Sequence, residues 1–185
     1  MQEISIDHPD KRIQVWFQDE ARFGQQGTIS RKWALKGSRP LAAKQTQYEY
    51  LYVIGAVCPQ TGQTTGLLSP YINAKIMNKF LEQFSNELDK DVHAVIVMDR
   101  AGFHTAKEIK VPRNITVVYL PPYSPELNPI ENLWHYLRKN EWSNRVYDDY
   151  EALIKAACSA WQKHCLNHEL MMSVCNVPYI TKRTI

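Results

Sequence analysis

Hydrophobic positions along the chain fall into runs of two kinds. Ile13 to Gln18, Tyr50 to Cys58, Thr64 to Ser69, His93 to Met98 and Ile115 to Leu120 are short and rich in β-branched and aromatic residues, which predicts five strands, the first leaving the sheet at Gln18. Pro59-Gln-Thr-Gly62 separates the second from the third and predicts a hairpin. Elsewhere the apolar residues stand three and four apart. Ile76, Met77, Phe80, Leu81, Phe84 and Leu88 predict a helix from a cap at Asn73 to about Leu88. Ile130, Leu133, Trp134 and Leu137 predict another, with Asn128 as cap and Pro129 in the first turn. Leu153, Ile154, Ala157, Trp161 and Cys165 give the inner face of a last helix over 148–165. A short polar helix is expected from about Thr105. Residues 1–12 read as a short mobile lead and 167–185 as a tail, leaving 13–166 as one domain. Hairpin-linked strands followed by strand–helix alternation predict an α/β class, a mixed sheet with helices on its faces.

Composition narrows the function classes only slightly. A chain of 185 residues with 44% hydrophobic content suits one soluble globular domain. Net charge is +3 and the pI about 8.6, which permits a nucleic-acid partner without demanding one. The four cysteines include no C-x-x-C pair, so they read as reduced thiols of a cytoplasmic protein. The polar N-terminus does not read as a signal peptide, and no apolar run approaches the roughly 20 residues of a membrane span.

Three acids carry the candidate chemistry. Asp99 closes the run His93–Met98, Asp19 follows the run Ile13–Phe17 after one residue, and Glu131 opens a helix off its apolar stripe. Such a set suits hard divalent cations with oxygen ligands. Glu131 also stands where a capping-box glutamate would. Glu126 competes with it but lies in the spacer before Pro129. Glu20 is expected on the opposite face of the strand from Asp19, in a structural role. His104 reads either as a capping or surface histidine or as an accessory group that reaches a phosphate or orients water.

Three blocks, QDEARFG at 18–24, VMDRAGFH at 97–104 and LPPYSPELNPIENLW at 120–134, resemble the catalytic domain of DDE transposases. The chain looks most like the bacterial insertion sequence 630 family of the mariner superfamily. With WALKG at 33–37, the resemblance covers about residues 13–140. It implies a ribonuclease H-like fold, a mixed five-stranded sheet in which the first and fourth strands are neighbours. It also implies that Asp19, Asp99 and Glu131 are a catalytic, metal-binding triad holding two Mg²⁺ or Mn²⁺ ions. The 31 residues between Asp99 and Glu131 are slightly fewer than in eukaryotic relatives, and Arg100 stands where many relatives have Asn.

The implied reaction is hydrolysis of DNA at transposon ends and transfer of the freed 3′-hydroxyl to target DNA, at TA. Two ions suit that reaction because they activate the attacking oxygen and steady the leaving one. The alternative from another class is a catalytically silent DNA-binding remnant that acts as repressor or architectural factor; a ribonuclease H-type nuclease is a third reading. Arg31, Lys32, Lys36 and Arg39 surround Trp33 without an intervening acid. They are expected to form a DNA-contacting loop rather than a merely solvated one. The family's N-terminal helix-turn-helix is not found here. The chain is therefore expected to be a second reading frame joined to that region by frameshifting, or a shortened form. A homodimer in the active complex and a nucleoid-associated place in a bacterial cytoplasm complete the expectations.

Overall fold

The computed structural model describes residues 2–25, 33–38, 45 and 48–178. Its strands are β1 (Arg12–Gly24), β2 (Tyr50–Val57), β3 (Thr64–Ser69), β4 (Val92–Met98) and β5 (Ile115–Tyr119). They form one sheet in the order β3-β2-β1-β4-β5. The hairpin β2–β3 is antiparallel, and its turn uses Gly62 at φ 70°, a conformation that glycine adopts without cost. β4 and β5 run parallel to β1, and all seven residues of β4 are buried, as expected of a strand covered on both faces. This is the mixed, ribonuclease H-like sheet the resemblance implied, with the first and fourth strands adjacent.

β1 is the spine and differs from its expected bounds. It does not leave the sheet at Gln18 but continues through Asp19 and Glu20 to Gly24. Residues Arg12 to Phe17 pair with β4, and Phe17 to Gly24 pair with β2. The low strand propensity of the Asp-Glu pair loses to a complete ladder with β2 and to burial of Ala21 and Phe23.

Helices cover both faces. On one, α2 (Ala74–Glu87) buries Met77, Phe80, Leu81 and Phe84 against Trp16, Ile54 and Ile96. Its start is set by Asn73, whose side chain accepts from Ile76 N–H at 3.0 Å. The other face carries α3 (Ile130–Leu137), α4 (Tyr150–Ala160) and α5 (His168–Val174), which pack with Phe17, Ala21, Val53 and Val97. α3 and α4 each end in a wider π-type turn, Arg138–Trp142 and Trp161–Cys165. A short α1 (Gln2–Asp7) lies within the expected lead, and α5 within the expected tail. No helix among the described residues is long and apolar enough to cross a membrane.

Two local expectations fail. Residues 100–110 form turns rather than a helix from Thr105. Backbone groups that a helix would use internally go elsewhere: Lys110 N–H and Glu108 C=O both bond to the Asn78 side chain. Asn128 has extended backbone angles just ahead of α3, but its side chain does not cap the helix. Its Nδ2 donates instead to the carbonyl of Gln18 at 3.0 Å. That bond ties the start of α3 to β1, one residue from Asp19.

Candidate active site

Asp19, Asp99 and Glu131 line one cleft of about 440 Å³ at the end of the sheet, with Arg100, Leu120 and Pro121 among its other walls. Three different elements deliver them. Asp19 lies within β1 opposite Gly55, Asp99 is the residue after β4, and Glu131 is in the first turn of α3. Glu131 rather than Glu126 faces the cleft; Glu126 sits in a single 3₁₀ turn, Pro125–Leu127, and is not part of the cleft wall.

Asp19 is braced from α3. Trp134 Nε1–H donates to Asp19 Oδ2 at 3.0 Å. The indole reaches that position because Gly55 has no side chain: a Cβ there would lie 2.8 Å from Trp134 Cη2. Burial pushes the Asp19 carboxyl up to about 7, and the charges of Glu20 and Glu131 push the same way. Hydrogen bonds from the Glu20 backbone and from Trp134 pull it down.

Asp99 is braced from its own loop. Its Oδ1 accepts from Ala101 N–H at 2.9 Å and from His104 Nδ1 at 2.7 Å. His104 is not a surface histidine, since it is only 1% exposed, and the turns over 100–110 offer no helix for it to cap. Its other nitrogen, Nε2, lies 3.0 Å from Glu20 Oε1. Gln18 Nε2 donates to the same Glu20 oxygen at 2.6 Å. Glu20 thus does face away from Asp19, as the strand period requires, yet it is joined to Asp99 through one ring. Burial works against a charged His104, but hydrogen bonds and charges from Glu20 and Asp99 outweigh it and raise its pKa.

Of the residues expected to touch DNA, Trp33 and Lys36 are exposed; Arg31, Lys32 and Arg39 lie outside the described residues. Tyr123 was not singled out by sequence. It is fully exposed on the cleft wall and holds φ at 57°, a left-handed conformation uncommon for a bulky residue. Trp134 and Gly55 were likewise missed as supports of the site, and the bond from Glu20, expected only in a structural role, to His104 was not foreseen. The only sequence signal was their place inside the blocks or opposite them in the ladder.

The donor set fits a hard divalent cation, because three carboxylates share a cleft and half-buried Asp19 has no cationic partner among the described residues to offset its charge. Among the described residues, no group of three His, Cys, Asp or Glu side chains is disposed as a ready-made cage for one ion.

Comparison with known proteins accords with this geometry. The DDE superfamily endonuclease family matches residues 14–154. The uncharacterized protein y4pE/y4sA of Sinorhizobium fredii is 44% identical over 114 residues, which cover 62% of this chain and 84% of that protein. The insertion element IS630 39 kDa protein of Shigella sonnei is 23% identical over 159 residues, 84% of this chain and 45% of that one. A solved structure of the Mos1 mariner paired-end complex with Mn aligns with a TM-score of 0.69 at 14% identity, over 94% of this chain and 55% of that one. Likeness at so low an identity speaks for the fold alone. The chain spans less than half of the IS630 protein and about half of the Mos1 chain. With a family match that runs from Gln14 to Ile154, the chain belongs to the DDE superfamily endonucleases.

Proposed function

We propose that this chain is the catalytic domain of a metal-dependent transposase, which hydrolyses DNA at transposon ends and transfers the 3′-hydroxyl to target DNA, at TA. The observation that carries the reading is the convergence of Asp19, Asp99 and Glu131 on one cleft from three separate elements. These three residues would hold Mg²⁺ or Mn²⁺, two ions in the working site. Bound there, the ions would activate the attacking oxygen and stabilise the leaving one.

The chain's own residues do the remaining work. Trp134 and His104 orient two of the carboxylates by donating to one oxygen of each. Asn128, through Gln18, fixes where α3 presents Glu131. Arg100, on the cleft wall, offers a guanidinium to a backbone phosphate. Leu120 and Pro121 form an apolar side that limits water near the scissile bond. Water and then a DNA 3′-hydroxyl serve as nucleophiles, so no side chain of this chain need attack.

Phosphate contacts carry little sequence information. Recognition of transposon ends is therefore assigned to a helix-turn-helix region supplied in the same polypeptide, with a homodimer in the active complex. Trp33 and Lys36, in the exposed stretch 33–38, would follow the DNA backbone. The test is nicking of supercoiled plasmid with Mg²⁺ or Mn²⁺, wild type against Asp99→Asn. Metal-dependent nicking by wild type alone supports the reading. No nicking by either, with DNA binding retained, would favour a silent DNA-binding remnant.

A further inference from the structure

The parallel ladder between β1 and β4 stops at Phe17 opposite Val97, two residues short of both aspartates. Beyond that point β1 follows β2, where Asp19 sits opposite Gly55. Backbone pairing therefore does not fix the spacing of the two acids. Asp99 is additionally on a loop, with its side chain 56% exposed. An exposed carboxylate on a loop samples several rotamers unless something holds it.

We propose that His104, anchored by Glu20, is a positioning residue that locks Asp99 relative to Asp19 and so sets the site's affinity for its divalent cation. This rests on the metal-dependent reading given above. His104 Nδ1 faces two acceptors, Asp99 Oδ1 at 2.7 Å and the Asp99 carbonyl at 3.2 Å, so this nitrogen carries the hydrogen. The donated bond, with that from Ala101 N–H, occupies Oδ1 and leaves Oδ2 as the ligating oxygen. The ring cannot drift. Phe103 meets it edge-on at 4.6 Å, Tyr119 Oη–H donates to its carbonyl at 3.0 Å, and Glu20 holds Nε2. Glu20 itself is fixed by Gln18 and adjoins Asp19 in β1. The path Asp99–His104–Glu20 thus replaces the missing ladder with side-chain bonds, in the way that outer groups orient metal ligands elsewhere.

The test measures Mn²⁺ binding to the full chain by calorimetry and by the free-Mn²⁺ spin-resonance signal, with nicking against Mn²⁺ concentration beside it. His104→Ala is expected to weaken Mn²⁺ binding about 10- to 100-fold and to raise the concentration for half-maximal nicking by a similar factor. His104→Asn keeps a donor near the Nδ1 position and is expected to recover most of the affinity. His104→Gln, whose donor lies near the Nε2 position, is not. Glu20→Gln is expected to give a severalfold loss between wild type and His104→Ala. Should His104→Ala fail to fold, the ordering of the Asn, Gln and Glu20→Gln variants decides. A lower Tm with unchanged Mn²⁺ affinity in all these variants would overturn the positioning role. Asp99→Asn separates the two levels of argument. If it loses Mn²⁺ while the His104 variants do not, only this inference fails. If it binds Mn²⁺ as wild type does, or wild type binds none, the metal-site reading fails and the inference with it.

Discussion

The indole of Trp134 donates a 3.0 Å hydrogen bond to Asp19 Oδ2 across the space vacated by Gly55. A core residue of α3 and a central-strand glycine thereby decide where a cleft carboxylate points. Trp134→Phe keeps the bulk and loses the donor. A hydrogen bond to a charged group contributes about 1.5–3 kcal/mol. The variant should fold, need more Mn²⁺ for nicking, and nick more slowly at limiting metal. An unchanged metal dependence would show that the indole bond has no part in orienting Asp19.

Gly55→Ala tests the same contact from the other side. Its Cβ would press on Trp134 Cη2 and on Trp161, both large rings in a packed core. Overpacking of this kind costs about 1–3 kcal/mol. Urea melts should show that loss together with a change in Trp fluorescence, and nicking should fall further than stability alone explains. A stability equal to wild type would mean that the rings have room to shift.

Asp19 makes the metal-free protein sensitive to pH. Its folded pKa, about 7, is raised above the unfolded value of 3.8. The protonated form is therefore favoured in the folded state. Its contribution is complete below about pH 3.8 and is lost as pH rises through about 7. At about 1.4 kcal/mol per unit, the loss approaches a few kcal/mol. In chelator, Asp19→Asn should be more stable than wild type at pH 8, with a smaller advantage at pH 5. Mg²⁺ should raise the Tm of wild type at pH 8 and leave that of the Asp19→Asn/Asp99→Asn double variant unchanged. Parallel pH profiles for wild type and Asp19→Asn would show that the pH-sensitive group lies elsewhere.

The positions of these acids were legible because strand periodicity and the motif blocks agree on them. Asp99 ends a wholly apolar run, and Glu131 stands off the stripe of Ile130, Leu133, Trp134 and Leu137. Their supports were not legible, since each depends on a partner far along the chain. His104 and Glu20 are 84 residues apart, and Trp134 and Asp19 are 115 apart. For the same reason β1 was cut short at Gln18: its second half exists only as a partner of β2. The helix expected from Thr105 failed because Asn78, on α2, takes its backbone bonds. Asn128 looked like a cap because local rules favour it there, but a long-range acceptor, the Gln18 carbonyl, claims its amide.

Tyr123 offers two readouts of opposite sign. Its left-handed backbone costs about 1–2 kcal/mol, which Tyr123→Gly would relieve. Its exposed ring on the cleft wall is placed to stack on a base, worth about 1–3 kcal/mol by truncation. Tyr123→Gly should therefore raise the Tm and weaken binding of single-stranded or nicked DNA several-fold. Tyr123→Ala should weaken binding similarly without the gain in stability. Unchanged DNA affinity in both would remove the ring from the substrate path.

The proposed metal-dependent site requires Asp19, Asp99 and Glu131 to act together. Its most direct test is the single-turnover rate of plasmid nicking in Mn²⁺ for Asp19→Asn, Asp99→Asn and Glu131→Gln, with Glu126→Gln as comparison and circular dichroism to check folding. Each triad variant should lose nicking by at least about a hundredfold, roughly 2.7 kcal/mol of barrier, while Glu126→Gln stays near wild type. Nicking that persists in folded Glu131→Gln, or that disappears in Glu126→Gln, would place the third ligand elsewhere than Glu131.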